Sequence, residues 1–168
     1  MISARGELFA QTVSALVGQF GPVDITSEVV DFDFTSYYDQ EMGHPLYRQF
    51  VAFDQLVCPD ILAPAKLTTN AIEARFRQTC PPGLPPRPVN LDVGYIESGK
   101  LVLASMKNFS HRIYLGRSVF AEVTLMYHRA GWDALPWTFP DYASGRYSPF
   151  LNSARAKMRE QIEQESRP

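Results

Sequence analysis

Residues Lys100–Lys107, His111–Gly116 and Ser118–His128 form three runs rich in Val, Ile, Leu, Tyr and Phe, with only a few residues between them. Breaks this short read as hairpin connections, so the stretch is expected to fold as an antiparallel meander. A turn at Gly116-Arg117 would set Leu115 against Ser118, Ile113 against Phe120 and His111 against Glu122. A loop at Asn108-Phe109-Ser110 would set Lys107 against His111 and Ser105 against Ile113. Both registers bring Lys107, His111 and Glu122 into one row across three neighbouring strands, about 5 Å from one to the next.

Helical and extended segments flank this stretch. Phe9, Val13, Leu16 and Phe20 recur at helical spacing, which predicts a helix over 4–20 that Gly21-Pro22 ends. Residues 25–34 read as a strand with Val30, Phe32 and Phe34 on one face and Val29, Asp31 and Asp33 on the other. A second strand is expected near 47–55. Pro59 suits the first turn of a helix reaching about 77. Pro81–Pro88 reads as a stiff extended connector. Ser148-Pro149 starts a last helix with Phe150, Leu151, Ala154 and Met158 as its apolar stripe. The fold class these segments imply is α+β: one domain over 1–160, a mostly antiparallel sheet with N- and C-terminal helices packed on it, and a frayed tail over 161–168.

Composition narrows the function classes. The chain has 168 residues and a formal net charge of −2, and 45% of its residues are hydrophobic, enough for a packed core. A pI near 5.9 argues against bulk nucleic-acid binding. The near-neutral total conceals an asymmetry. Residues 24–60 carry eight acids and one base, net −7, whereas residues 61–131 carry nine bases and four acids, net +5. Either the two parts pair in the fold or the basic part lines a site for an anion. No run approaches the length of a membrane span, no secretory leader is evident at the N-terminus, and Cys58 and Cys80 read as reduced thiols of a cytoplasmic protein.

The candidate chemistry centres on the expected row. A carboxylate beside a histidine orients the ring and stabilises its charged form, and a nearby lysine can hold an anion. His111 is therefore the candidate acid/base, Glu122 its orienting partner, and Lys107 and Arg112 the anion contacts. Arg112 lies one residue off the row, so strand alternation would turn it to the opposite face. Asp31 and Asp33 share a face but lack a third metal ligand, so no metal is expected. Asp92, in Asn90-Leu91-Asp92-Val93-Gly94-Tyr95, is expected to accept N–H groups in a turn before Gly94. Tyr37-Tyr38 and the loop 132–142, with Trp137 and Tyr142, could stack a ring. No phosphate-binding loop, GxSxG, HExxH or GxGxxG occurs, and the sequence leaves the cofactor unknown.

Several blocks carry a family resemblance. They are Asp31–Tyr38 with Glu41-Met42-Gly43, Asn90–Tyr95, Lys100–Ser105, His111–Gly116, Ala121–Leu125 and Leu135–Tyr142. In order and over most of the chain, they resemble an uncharacterised prokaryotic family, domain of unknown function 4416. The resemblance implies no activity. It does mark Asp31, Asp33, Tyr37, Tyr38, Asp92, Tyr95, Lys107, His111, Arg112 and Glu122 as shared positions. Members of that family start with a short apolar strand before the first helix. Here the chain begins almost at the helix: either that strand is lost or the start site was placed late, and an absent strand would leave the sheet an open edge or a groove.

Two function classes follow. One is an enzyme or binding protein for a small phosphorylated or nucleotide-like anion, with Tyr37, Tyr38, Asp92 and Tyr95 joining Arg112 as ligand contacts. The other is a non-catalytic module that docks a protein through the acidic segment 28–41 and the aromatic loop 132–142.

Overall fold

A computed structural model describes residues 1–80, 85–129 and 131–165; the first half of the Pro-rich connector (81–84), residue 130 and the last three residues lie outside this set. The chain forms two compact units, each assembled from two chain segments. Unit 1 comprises Met1–Gln55 and Leu67–Asp92. Unit 2 comprises Leu56–Lys66 and everything from Val93 onward. The fold class is α+β with antiparallel sheets, as expected from the sequence.

Unit 1 contains β1 (Ile2–Ser3), α1 (Leu8–Phe20), β2 (Val23–Thr26), β3 (Val30–Asp31), α2 (Asp39–Met42), β4 (Tyr47–Arg48), β5 (Val51–Phe53) and most of α3 (Leu62–Gln78). Each of the two strands expected over 25–34 and 47–55 is broken into two short pieces. β1, β4 and β3 make one antiparallel sheet, and β2 pairs with β5 in another. The apolar stripe of α1 explains its placement. Phe9 and Leu16 are buried with Met1, Ile72 and Leu91, and Phe20, Phe53 and Phe76 close around them. Gly21 ends the helix at φ 86°, donating its N–H to the Val17 carbonyl. That left-handed geometry strains residues with a Cβ.

The alternative of a lost first strand is corrected. Ile2 faces Arg48 on β4 and also bridges Asn90, exchanging backbone hydrogen bonds with it at 2.8 and 2.9 Å. Two residues are too few to show a period, which is why the pattern before the helix was silent.

Unit 2 contains β6 (Gly94–Ile96), β7 (Lys100–Ser105), β8 (Ile113–Gly116), β9 (Val119–His128), β10 (Gly131–Ala134), α4 (Pro140–Ala143) and α5 (Ser148–Glu165). α5 continues helical through Glu165, past the start of the expected frayed tail. Among the described residues no helix is long and apolar enough to cross a membrane.

The expected meander order is overturned. β7 does not lie beside β8. It pairs with β9, Leu103 opposite Glu122 and Ser105 opposite Phe120, and β8 takes the other edge of β9. The β8–β9 turn also differs by one residue. Gly116 faces Val119, so Arg117 and Ser118 form the turn, at φ 53° and 60°. Positive φ at both central residues is what a type I′ hairpin needs to match strand twist. Gly116 instead sits in the adjoining register shift. Gly94 has a clearer reason to be glycine: a Cβ there would collide with the Val102 carbonyl and the Leu103 side chain across the β6–β7 ladder.

Candidate functional site

β9 is the spine of unit 2, and it is interrupted where the candidate residues gather. β7 follows one edge from Phe120 to Met126. On the other edge β8 pairs up to Ala121 and β10 begins at Leu125. Glu122, Val123 and Thr124 therefore have no strand beside them on that edge. On the β7 side, Leu101 faces Leu125 and Val102 faces Val123, leaving Thr124 as an extra residue, a bulge. The segment after β10 fills the gap. Trp137 Nε1 donates to the Val123 carbonyl at 2.8 Å, and Thr138 Oγ1 donates to the Thr124 carbonyl at 2.5 Å.

Glu122 is 3% exposed, and a carboxylate that deep must be paired to stay charged. Two side chains share its Oε2. His111 Nε2 lies 2.8 Å away and Arg112 Nε donates at 2.7 Å. Its Oε1 is buried without a hydrogen-bond partner among the described residues. The carboxylate accepts, so Nε2 carries the proton and the neutral imidazole keeps its lone pair on Nδ1. Aromatic rings hold His111 in place. It stacks on Trp137 with centroids 5.1 Å apart and planes 8° from parallel, and Phe109 tilts against it at 5.3 Å.

Arg112 is the main departure from the sequence reading. His111 and Arg112 lie in the turn and approach ahead of β8, not in the strand, so alternation does not govern them and both reach the same carboxylate. Arg112 Nη1 also donates to Ser105 Oγ and to the Lys107 carbonyl, both at 2.8 Å. Its donors brace Glu122 and tie the end of β7 to the approach of β8. Lys107 enters this cluster through its carbonyl, and its side chain is exposed. The cross-strand row is thus corrected to a turn-borne His-Arg pair on a strand-borne Glu. Ser105 and Phe109 were missed as members because nothing in their local pattern marks them.

Trp137 also walls a shallow cleft of about 340 Å³, with Val123, Met126 and Leu135 as apolar lining and Glu97, Gly99 and Lys100 completing it. Lys100 Nζ lies 2.6 Å from Glu97 Oε2, and this hydrogen bond holds the ammonium pKa above its ordinary value. Tyr95 sits on β6 opposite Val102 and within electrostatic reach of Lys100.

Tyr37, Tyr38 and Asp92 belong to unit 1 and a different cluster. Asp92 Oδ2 accepts from Asn90 Nδ2 at 3.1 Å and pairs with Arg48 Nη2 at 3.7 Å. Arg48 is itself buried, its guanidinium 4.4 Å from the Phe32 ring centroid. Arg87 gathers Glu73 at 3.2 Å, Glu41 at 3.4 Å and Asn90. Burial opposes its charge, but Glu73, joined by Tyr38 and Glu41, outweighs it and holds the guanidinium pKa above the ordinary value. Burial, with Asp92 adding to it, pushes the Tyr38 phenol up to about 12 against the opposing pull of Arg87 and Arg48. Tyr37 stands exposed, edge-on to Tyr38. Asp31 and Asp33 are exposed, and among the described residues no group of three or more His, Cys, Asp or Glu is placed to hold a metal ion.

Residues 1–158 match a family described as a domain of unknown function (DUF4416). No curated protein and no solved structure matches the chain.

Proposed function

The chain belongs to the DUF4416 family, and from its own residues we propose that it is an enzyme or binding protein for a small phosphorylated or nucleotide-like anion. One observation carries this reading: buried Glu122 fixes His111 through Nε2 while Trp137 stacks against the ring. A histidine oriented in this way has Nδ1 left to give or take a proton, the arrangement a general acid/base needs. Arg112 acts as a positioning residue, because its Nε and Nη1 are directed at protein oxygens. Anion attraction then falls to His111 in its charged form and to Lys107 and Lys100. The faces of Trp137 and Phe109 suit the planar ring of a nucleotide-like ligand. Cytoplasmic location is part of the same proposal, in keeping with the free thiols of Cys58 and Cys80.

The test is a thermal-shift screen of nucleotides and phosphosugars on wild type, His111→Ala and Trp137→Ala. At least one anion should raise Tm in wild type and do so less in both variants. A panel with no shift, or a shift that His111→Ala leaves intact, would sink the reading.

A second reading keeps the docking module. Val29 and Tyr37 stand exposed among the acids of 28–41, as an apolar-acidic docking strip would require. The loop 132–142 supports it less, since Trp132 and Trp137 both spend their indole N–H inside the unit. A protein captured by wild type and lost on Tyr37→Ala, with no anion binding in the screen, would favour it.

A further inference from the structure

We propose that β8 is a docking strand, which binds an extended acidic segment of a partner protein by adding it as a further strand. β8 hydrogen-bonds to β9 on one edge, and no other strand among the described residues pairs with it. Its other edge presents backbone N–H and C=O groups without a ladder. Such an edge is a template for a further strand. Among the described residues the side chains of β8 lie open to solvent. Ile113 is 70% exposed, Tyr114 60% and Leu115 42%, and Phe109, just ahead, is 64% exposed. Successive strand residues point to opposite faces, so three consecutive exposed positions leave both faces of β8 open as well as its edge. An apolar strand left open in this way marks an interaction site.

Charge selects the occupant. From Ser98 to Ala121 the chain has four bases, Lys100, Lys107, Arg112 and Arg117, and no acid. The nearest carboxylate after that, Glu122, is buried and neutralised by Arg112. The exposed cations that flank the strand in sequence are Lys107 and Arg117. A second copy of β8 laid across this edge would bring like charges together. A segment alternating apolar and acidic residues would place its side chains on Ile113, Tyr114 and Leu115 and its carboxylates by the two cations. The short length of β8 and its irregularity near Gly116 restrict pairing to a few residues, a common guard against open-ended aggregation.

The probe is a capped, fluorescent peptide alternating valine and aspartate, with a version carrying lysine for aspartate as control. Anisotropy titration is run at 50 and 500 mM salt, with amide hydrogen exchange on the complex. The aspartate peptide should bind at least tenfold more tightly than the lysine peptide, weaken several-fold at high salt, and slow exchange at residues 113–116. Leu115→Asp and, separately, Lys107→Glu should each weaken it at least fivefold. Both side chains are exposed, so unchanged exchange in β9 checks that each variant is folded. His111→Ala should leave peptide binding in place, which separates this proposal from the small-anion site. Equal binding of the two peptides, protection confined to other strands, or a concentration-dependent dimer protecting 113–116 would overturn it.

Discussion

Two glutamates, Glu122 buried and Glu73 partly buried, one in each unit, are used in opposite ways. Glu73 in unit 1 spends both oxygens: Oε1 accepts the Leu91 N–H at 2.8 Å and Oε2 takes Arg87 at 3.2 Å. Glu122 in unit 2 places both its partners on Oε2 and leaves Oε1 without one among the described residues. Sequence separation differs too. Around Glu73, Arg87 also joins Glu41, forty-six residues away, so this cluster pins distant segments together. Around Glu122, both donors come from one turn ten and eleven residues upstream. A saturated carboxylate with long-range partners is a fastener. One that is half-used and held by a local turn is poorly placed to fasten anything and better placed to work on something else. The contrast also locates the charge asymmetry: part of the −7 of residues 24–60 is answered inside unit 1 by Arg87, whereas the basic run from 98 to 121 keeps Lys107 and Arg117 exposed.

The comparison can be broken by mutation. Arg87→Ala strands Glu73 and should cost about 3 kcal/mol, the low end for opening a buried ion pair, because the arginine is partly exposed. Urea unfolding should show a lower midpoint at unchanged slope. An unaltered midpoint would remove the fastener reading. Next in size, Glu73→Gln should cost about 2 kcal/mol and Glu122→Gln about 1 kcal/mol, since the latter weakens two local bonds and no long-range tie. Glu122→Gln should nevertheless abolish any anion-induced Tm shift that Glu73→Gln retains. Reversal of either order would mean that the two glutamates had been assigned the wrong way round.

The smallest effect is a pH dependence in unit 1. Tyr38 has its folded pKa raised to about 12 from 10.0. Below pH 10 both states hold the proton, so the stabilisation is fully present. Between pH 10 and 12 the unfolded chain releases its proton first, so stability falls as pH rises. Comparing urea midpoints at pH 9 and pH 11, Tyr38→Phe should lose less than wild type. Equal losses would assign the slope to another group.

The sequence was legible where period is long enough to count. α1, the helical stretch after Pro59, α5 and the runs that became β7, β8 and β9 all show their pattern over four or more residues. Most strands of unit 1 did not, because two or three residues cannot display alternation. The His111–Glu122 contact was foreseen from a register that was one residue off and a strand order that was wrong. Gly116 looked like the turn residue, yet Arg117 and Ser118 took the positive φ angles. β7 looked like the neighbour of β8 by chain order, yet it pairs with the strand beyond. The contact survives because His111 reaches Glu122 from a turn, which strand register does not control. Arg48, Glu73 and Arg87 went unmarked for a simpler reason: their partners lie far off in sequence, and no local spacing announces them.

The interleaving of the two units bears on how the chain can be made. Synthesis proceeds from the N-terminus, so unit 1 waits for residues 67–92 while the first segment of unit 2, 56–66, has already emerged and waits in turn for residue 93 onward. A product ending at Gln55 would carry Phe9 and Leu16 without Ile72 and Leu91, the residues they bury against. A fragment starting at Val93 would lack Leu62 and Ala65, which are buried in the whole chain. Neither unit can be excised by a single cut, and a nascent chain must hold exposed apolar surface until well past its midpoint, the interval in which a chaperone has something to bind.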